Sequence, residues 1–211
     1  MIEKYIERIE YEYPIKQTEI DEFRQIKISS LSGECKAYEV KNLGHVFTMD
    51  ARSTFGLKRK ELFVITPFDI DGPLFCLELN NGKNLTIDFF DVMLDESYNE
   101  DRTLAIKNKY SSLIQNRDKA QWSDTFRLKS SMIVRFPDVK TAEECLDELL
   151  ETYLKALDLA HVSIAWEKKK QIGEFIEGLI NNNDEAAETF IRQLGRGTAE
   201  RFLYEAVFAI R

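Results

Sequence analysis

The spacing of apolar residues along the chain changes period twice. Over residues 2–13, Ile2, Tyr5, Ile6 and Ile9 recur at helical spacing among Glu, Lys and Arg, and Pro14 marks the end of that segment. From Gly33 the period shortens to two. Cys35-Lys-Ala-Tyr-Glu-Val40 alternates, Asn42-Leu43-Gly44 reads as a turn, and a second strand runs through Val46, Phe47 and Met49. Two more strands, Glu61–Thr66 and Pro73–Leu79, flank the turn-rich Pro67–Gly72. Asn80-Asn81-Gly82-Lys83 is a tight-turn signal, because Asn and Gly tolerate positive φ. It leads into Asn84–Phe90, with Leu85, Ile87 and Phe89 on one face. Strands this close in sequence, joined by short turns, predict an antiparallel meander centred on Glu61–Phe90.

Beyond residue 100 the helical period returns with one interruption. Thr103–Ile114 reads as a helix, and Ser130–Arg135 as a strand closed by Phe136-Pro137. Thr141-Ala-Glu-Glu144 has the form of a capping box opening a helix to about Leu159. Its stripe is Cys145, Leu149, Leu150, Tyr153, Leu154 and Leu157. Further helices are expected over 163–180, 184–194 and 198–208. Helices from both ends of the chain are available to cover both faces of the sheet. The expectation is therefore an α+β fold, a three-layer α/β/α sandwich on an antiparallel meander, formed as one domain over 1–211.

Composition narrows the function. The chain has 211 residues, 44% hydrophobic and 31% charged, as ordinary globular domains do. Lys and Arg total 29 against 37 Asp and Glu, a net charge of −8, which argues against nucleic-acid binding. Lys168-Lys-Lys170 reads as a solvated helix face. Cys35, Cys76 and Cys145 lie far apart and His45 and His161 are the only histidines, so zinc and disulfide scaffolding are disfavoured and the thiols read as small buried hydrophobes. The N-terminal stretch lacks the apolar core of a signal peptide, and runs such as Phe89–Leu94 are too short to span a bilayer. A cytoplasmic location without membrane association is the expectation.

Phosphate-loop, dinucleotide, metalloprotease and nucleophile-elbow signatures are all missing. What stands out is acid within apolar strands. Leu74, Cys76 and Glu78 share one strand face, where burial would raise a carboxyl pKa towards the range useful for proton delivery. The other reading places Glu78 near the strand end, in contact with solvent. Asp88 shares its side with Thr86 and reads as a hydrogen-bonding partner for a turn.

Several segments, in order, resemble the ferredoxin-dependent bilin reductases. They are Phe63-Val-Ile-Thr-Pro67, Gly72-Pro-Leu-Phe-Cys-Leu-Glu-Leu79 and Leu85-Thr-Ile-Asp88, then Trp122-Ser-Asp-Thr-Phe126 and Met132-Ile-Val-Arg135. Asn183-Asp184 follows, with Leu194-Gly195, Ala199-x-x-Phe-Leu and Ala206-Val-Phe208 after it. That family carries a strand ending in Phe-Pro, a Leu-Pro-Leu/Val-Phe-Gly-x-Asp strand, Trp-x-x-x-Phe and Phe-x-Arg-Pro elements, and an Asn-Asp or Asp-Pro pair. The likeness runs from about residue 33 to the C-terminus. The related red chlorophyll catabolite reductases share the fold, so the branch stays open.

The resemblance implies an open-chain tetrapyrrole held between the sheet and the C-terminal helices. It implies no bound cofactor: ferredoxin supplies electrons singly and protein carboxyls supply protons. The family's proton-donating Asp falls on Glu78, one methylene longer and so displaced by about 1.5 Å. Its polar site on the C-terminal helices falls on Asn183 and Asp184. Arg135 falls on the candidate propionate partner. A histidine that some members carry on the first hairpin strand is replaced by Leu62, or by Glu61 under a shifted gap, which makes Glu61 a candidate substrate contact. The Lys that follows Asn-Asp in the family is Glu185 here. Two functions follow: a reductase of a linear tetrapyrrole or similar conjugated substrate, or a non-catalytic domain that binds such a ligand or a protein partner.

Overall fold

The structure, a computed structural model, describes residues 2–94 and 98–210. Helix α1 (Glu3–Glu12) ends where Tyr13 becomes extended ahead of Pro14, as the residue before a proline is biased to do. Among the described residues nine strands follow in one sheet: β1 (Ile15–Thr18), β2 (Gln25–Ile28), β3 (Leu31–Val40), β4 (Gly44–Ser53), β5 (Arg59–Pro67), β6 (Leu74–Asn80), β7 (Asn84–Phe90), β8 (Ile114–Gln115) and β9 (Met132–Arg135). Their order is β1-β3-β4-β5-β6-β7-β9-β8, with β2 also on β3, and every pairing is antiparallel. The expected meander is β3 to β7. Asn81 (φ 53°) and Gly82 (φ 74°) both take left-handed backbone in the three-residue loop, 81–83, that joins β6 to β7.

Alternation sends the two sheet faces into separate cores. Phe63, Ile65, Phe75, Leu77, Leu79, Leu85, Ile87 and Phe89 meet Tyr5 and Ile9 of α1, Ile106 of α2 (Asp101–Lys109) and the stripe of α3 (Val139–Leu157). Phe47, Met49, Val64, Leu74 and Phe90 face the C-terminal helices α4 (Ala165–Asn181), α5 (Glu185–Leu194) and α6 (Arg196–Arg201). The molecule is thus the α+β, three-layer arrangement expected. All six stripe positions of α3 are buried. Among the described residues no helix is long and apolar enough to cross a membrane.

Several local expectations need correction. Strands β1 and β2 occupy a stretch that gave no clear period: each has only four residues and one face largely exposed. The helix expected to run to Ile114 stops at Lys109, and β8 follows a single tight turn. Helix α3 begins three residues earlier than its capping-box signal, because Asp138, not Thr141, accepts the first free amide. The last helix changes pitch, continuing from α6 as a π-helical segment over Phe202–Val207. Lys168 is fully buried, donating to the carbonyls of Ile70 (2.6 Å) and Gly72 (2.8 Å), and is no part of a solvated face.

Candidate functional site

Ladder register arranges the side chains on the inner sheet face in transverse rows. One row is Lys60, Asn80, Asn84 and Arg135; the next is Leu62, Glu78, Thr86 and Ile133; the third is Val64, Cys76 and Asp88. The C-terminal layer does not close down on these rows. It leaves a cavity of about 240 Å³, roofed by Phe175 and Leu179 of α4, Phe190 of α5, and Leu203 and Val207 of the π-helical segment.

The cavity has an apolar body with charge at two stations. At the shallower station the half-exposed Glu78 pairs with Lys60 Nζ (2.8 Å) and accepts from Asn80 Nδ2 (2.7 Å). Its carboxylate is therefore engaged by partners, in keeping with the solvent-reaching alternative. At the deeper station Asp88 is only 8% exposed. Arg127 Nε donates to Asp88 Oδ1 at 2.9 Å, and Arg117 Nη2 donates to the same oxygen. Burial, the largest influence, pushes the Asp88 carboxyl above the usual carboxylate range; the two guanidiniums pull against it, and nearby Asp184 adds to the rise. Burial also pushes the Cys76 thiol up, so this cavity-lining cysteine stays protonated.

The edge of the cavity is stitched to the N-terminus of α5. Asp184, 2% exposed, caps that helix by accepting from Ala186 N (3.2 Å), while its other oxygen accepts from Ser123 N (2.9 Å). In return Glu185 N donates to Gln121 Oε1 (3.1 Å). The tight turn Trp122–Thr125 places Arg127 against Phe90, its guanidinium carbon 5.1 Å from the ring centre. Arg127 also donates to Ser123 Oγ and pairs with Asp124.

Of the residues singled out in the sequence, Glu78 and Asp184 both line the cavity. Asn183 is exposed and lies outside the cavity wall; its left-handed backbone (φ 50°) turns the chain from α4 into α5. Arg135 is exposed in the row beyond Glu78, on the correct face but past the rim. Glu61 points to the opposite face, buried beneath α1, where it accepts from Ile2 N and pairs with Arg59 (2.9 Å).

Three site residues were missed: Asp88, Arg117 and Arg127. Asp88 bonds two arginines rather than a turn. The observed register, Asn80 opposite Asn84 around a three-residue loop at 81–83, sets Cys76 opposite Asp88 and puts both carboxyls on one face; a two-residue turn at 81–82 would have set Asp88 on the other face. The arginines come from irregular segments that carry neither period, and only tertiary structure brings them in. Among the described residues, no three His, Cys, Asp or Glu side chains converge as metal ligands.

No family model matches the sequence, and no curated protein matches it. The fold does have a solved counterpart, phytochromobilin synthase from tomato, in a crystal structure in complex with biliverdin. The superposition has a TM-score of 0.74 at 14% identity and covers 99% of this chain and 83% of the other. At that identity the relation is one of fold.

Proposed function

We propose that the cavity binds a linear tetrapyrrole, or a ligand of similar conjugation bearing acid groups, and that the protein reduces it with electrons from an external one-electron donor such as ferredoxin. The observation that carries this reading is the cavity itself, an apolar space between the sheet and the C-terminal helices with the carboxyls of Glu78 and Asp88 directed into it from adjacent strands. The tomato protein of the same fold holds biliverdin, a linear tetrapyrrole, which supports the ligand class. A volume of about 240 Å³ lies below the ~300–1,000 Å³ of most small-molecule sites. Part of so long a ligand therefore extends past the Glu78 row to the row of Lys60 and Arg135, where Arg135 stands to meet an acid group. In this reading Glu78 delivers a proton, Asp184 fixes the helical wall, and Asn183 and Glu61 stand outside the cavity.

A second reading, ligand binding without turnover, draws on the engagement of Glu78 by Lys60 and Asn80. One experiment separates the two. Biliverdin is titrated into the protein while its visible spectrum is followed, and a low-potential donor is then added without oxygen. Reduction is expected to replace the bound spectrum with a new band. A shifted band that the donor leaves unchanged supports binding alone, and an unshifted spectrum overturns tetrapyrrole binding.

A further inference from the structure

Three carboxyl groups besides Glu78 border the cavity, the exposed Glu185 at its edge and the buried Asp88 and Asp184, and hydrogen bonds set the two buried ones apart. Both oxygens of Asp184 are occupied by backbone amides, Oδ1 by Ala186 N–H and Oδ2 by Ser123 N–H. Protonating it would cost an N-cap and the tie between α5 and the Trp122–Thr125 turn. At Asp88 the two guanidiniums converge on Oδ1 alone. Among the described residues, Oδ2 takes no hydrogen bond, and the side chain lines the cavity. A carboxylic acid in this setting keeps Oδ1 as the carbonyl acceptor of both arginines and presents an Oδ2–H group to the cavity.

We propose that Asp88, rather than Asp184, is the second carboxyl that hands a proton to a ligand in this cavity, through Oδ2, with Arg117 and Arg127 as its positioning residues. The proposal rests on the reductase reading above. Reduction of one conjugated double bond takes two electrons, delivered singly by an external low-potential donor of the iron–sulfur class, and two protons. After the first electron, the Oδ2–H bond of Asp88 breaks, its proton bonds to the ligand radical anion, and a neutral radical and the Asp88 carboxylate remain. After the second electron, the second proton arrives by way of Glu78, backed by the Lys60 ammonium. Water reprotonates both carboxylates between turnovers.

The surroundings suit both protonation states of Asp88. Burial favours the acid before transfer, and the two guanidiniums stabilise the carboxylate after it. The titratable and charged groups facing it are Arg117 and Arg127 from the segments before β9, Asp184 from the start of α5, and Cys76 from β6.

The test compares Asp88→Asn, Asp88→Glu and Asp184→Asn with the wild type, using biliverdin and a one-electron donor without oxygen. Asp88→Asn is expected to bind biliverdin within a few-fold of the wild type while its reduction rate falls by about 100-fold or more. A ligand radical should then accumulate in its electron paramagnetic resonance spectrum. Asp184→Asn should lower the unfolding midpoint and, unlike Asp88→Asn, accumulate no ligand radical. Near wild-type reduction by Asp88→Asn, with binding intact, overturns the proposal and leaves the reductase reading standing. If Asp88→Asn does not fold, Asp88→Glu decides: a shifted pH–rate profile supports the role, and an unchanged rate and profile overturn it. A wild type that neither binds nor reduces biliverdin overturns the tetrapyrrole reading instead. Infrared titration of the free protein then judges Asp88 alone: a protonated-carboxyl band lost in Asp88→Asn supports it, and no such band overturns it.

Discussion

Gly178 of α4 lies so close beneath the indole of Trp122 that a Cβ at that position would stand 1.9 Å from Cη2. Trp122 in turn packs against Phe126 and Phe175, and Phe175 roofs the cavity. Two effects of Gly178→Ala oppose each other. Alanine gains about 1 kcal/mol of helix propensity over glycine, whereas overpacking a tight contact costs about 1–3 kcal/mol. The steric cost should win, leaving the variant about 1 kcal/mol less stable in urea unfolding and its ligand affinity weakened through the displaced Phe175. Equal or greater stability would show that the indole moves away freely.

The sheet was legible because the meander strands are short alternating or apolar runs separated by short turns, with Asn81-Gly82 marking the central one. The layering followed from the stripe of α3. The site was legible in part. Glu78 announced itself as an acid in an apolar strand, and Asp184 entered through a family likeness. Arg117 and Arg127 had no local signal, since they belong to irregular segments whose positions depend on bonds to α5. Lys168 was hidden for another reason. In a run of three lysines, nothing local distinguishes the one whose ammonium finds two inward carbonyls from its solvated neighbours.

Lys168 supplies the second prediction. Replacing it by Met keeps the length of the side chain and removes the donor from the carbonyls of Ile70 and Gly72. An unsatisfied buried polar group costs about 1–3 kcal/mol, so two should cost about 2–6 kcal/mol together. Lys170→Met, on the exposed face of the same helix, should change stability by less than about 0.5 kcal/mol. Urea unfolding of the two variants checks the contrast, and equal losses would refute the structural role of Lys168.

Asp138 supplies a prediction with a definite pH sign. The backbone amide and hydroxyl of Thr141 hold its carboxyl below the usual range. Its cap is therefore fully formed above the unfolded-state pKa and is lost as pH falls through the folded one. Asp138→Ala should unfold at lower urea than wild type at pH 7, with the gap closing in acid. Thr141→Ala should have the smaller effect at neutral pH, because the amide bond to Asp138 survives it. A larger effect of Thr141→Ala would return the cap to Thr141.

Arg127 and Arg117 share one carboxylate oxygen but differ in what else they do. Arg127 is 11% exposed and also engages Ser123 and Asp124, whereas Arg117 is 27% exposed and pairs with Asp88 alone among the described residues. Removing one partner of a buried pair costs about 3–5 kcal/mol, and a more exposed pair is worth about 1 kcal/mol or less. Arg127→Met should therefore destabilise the protein by about 3 kcal/mol and Arg117→Met by about 1 kcal/mol. Equal losses in urea unfolding would mean that Asp88 is held mainly by Arg117.

Asp88 should reverse the pH trend of Asp138. Burial raises its folded pKa above the unfolded value, against both guanidiniums. The folded state thus binds the proton more tightly than the unfolded chain does, and this contribution to stability is fully present below the unfolded pKa of about 4. It is lost as pH rises through the folded pKa. Unfolding free energies of wild type and Asp88→Asn, measured from pH 4 to pH 8, should show the wild type losing ground to the variant as pH increases. Asp138→Ala runs the other way over the acid limb, which separates the two carboxyls in one set of measurements. If the wild type instead gains on Asp88→Asn with rising pH, the two arginines outweigh burial, Asp88 is a carboxylate throughout, and it holds no proton to give.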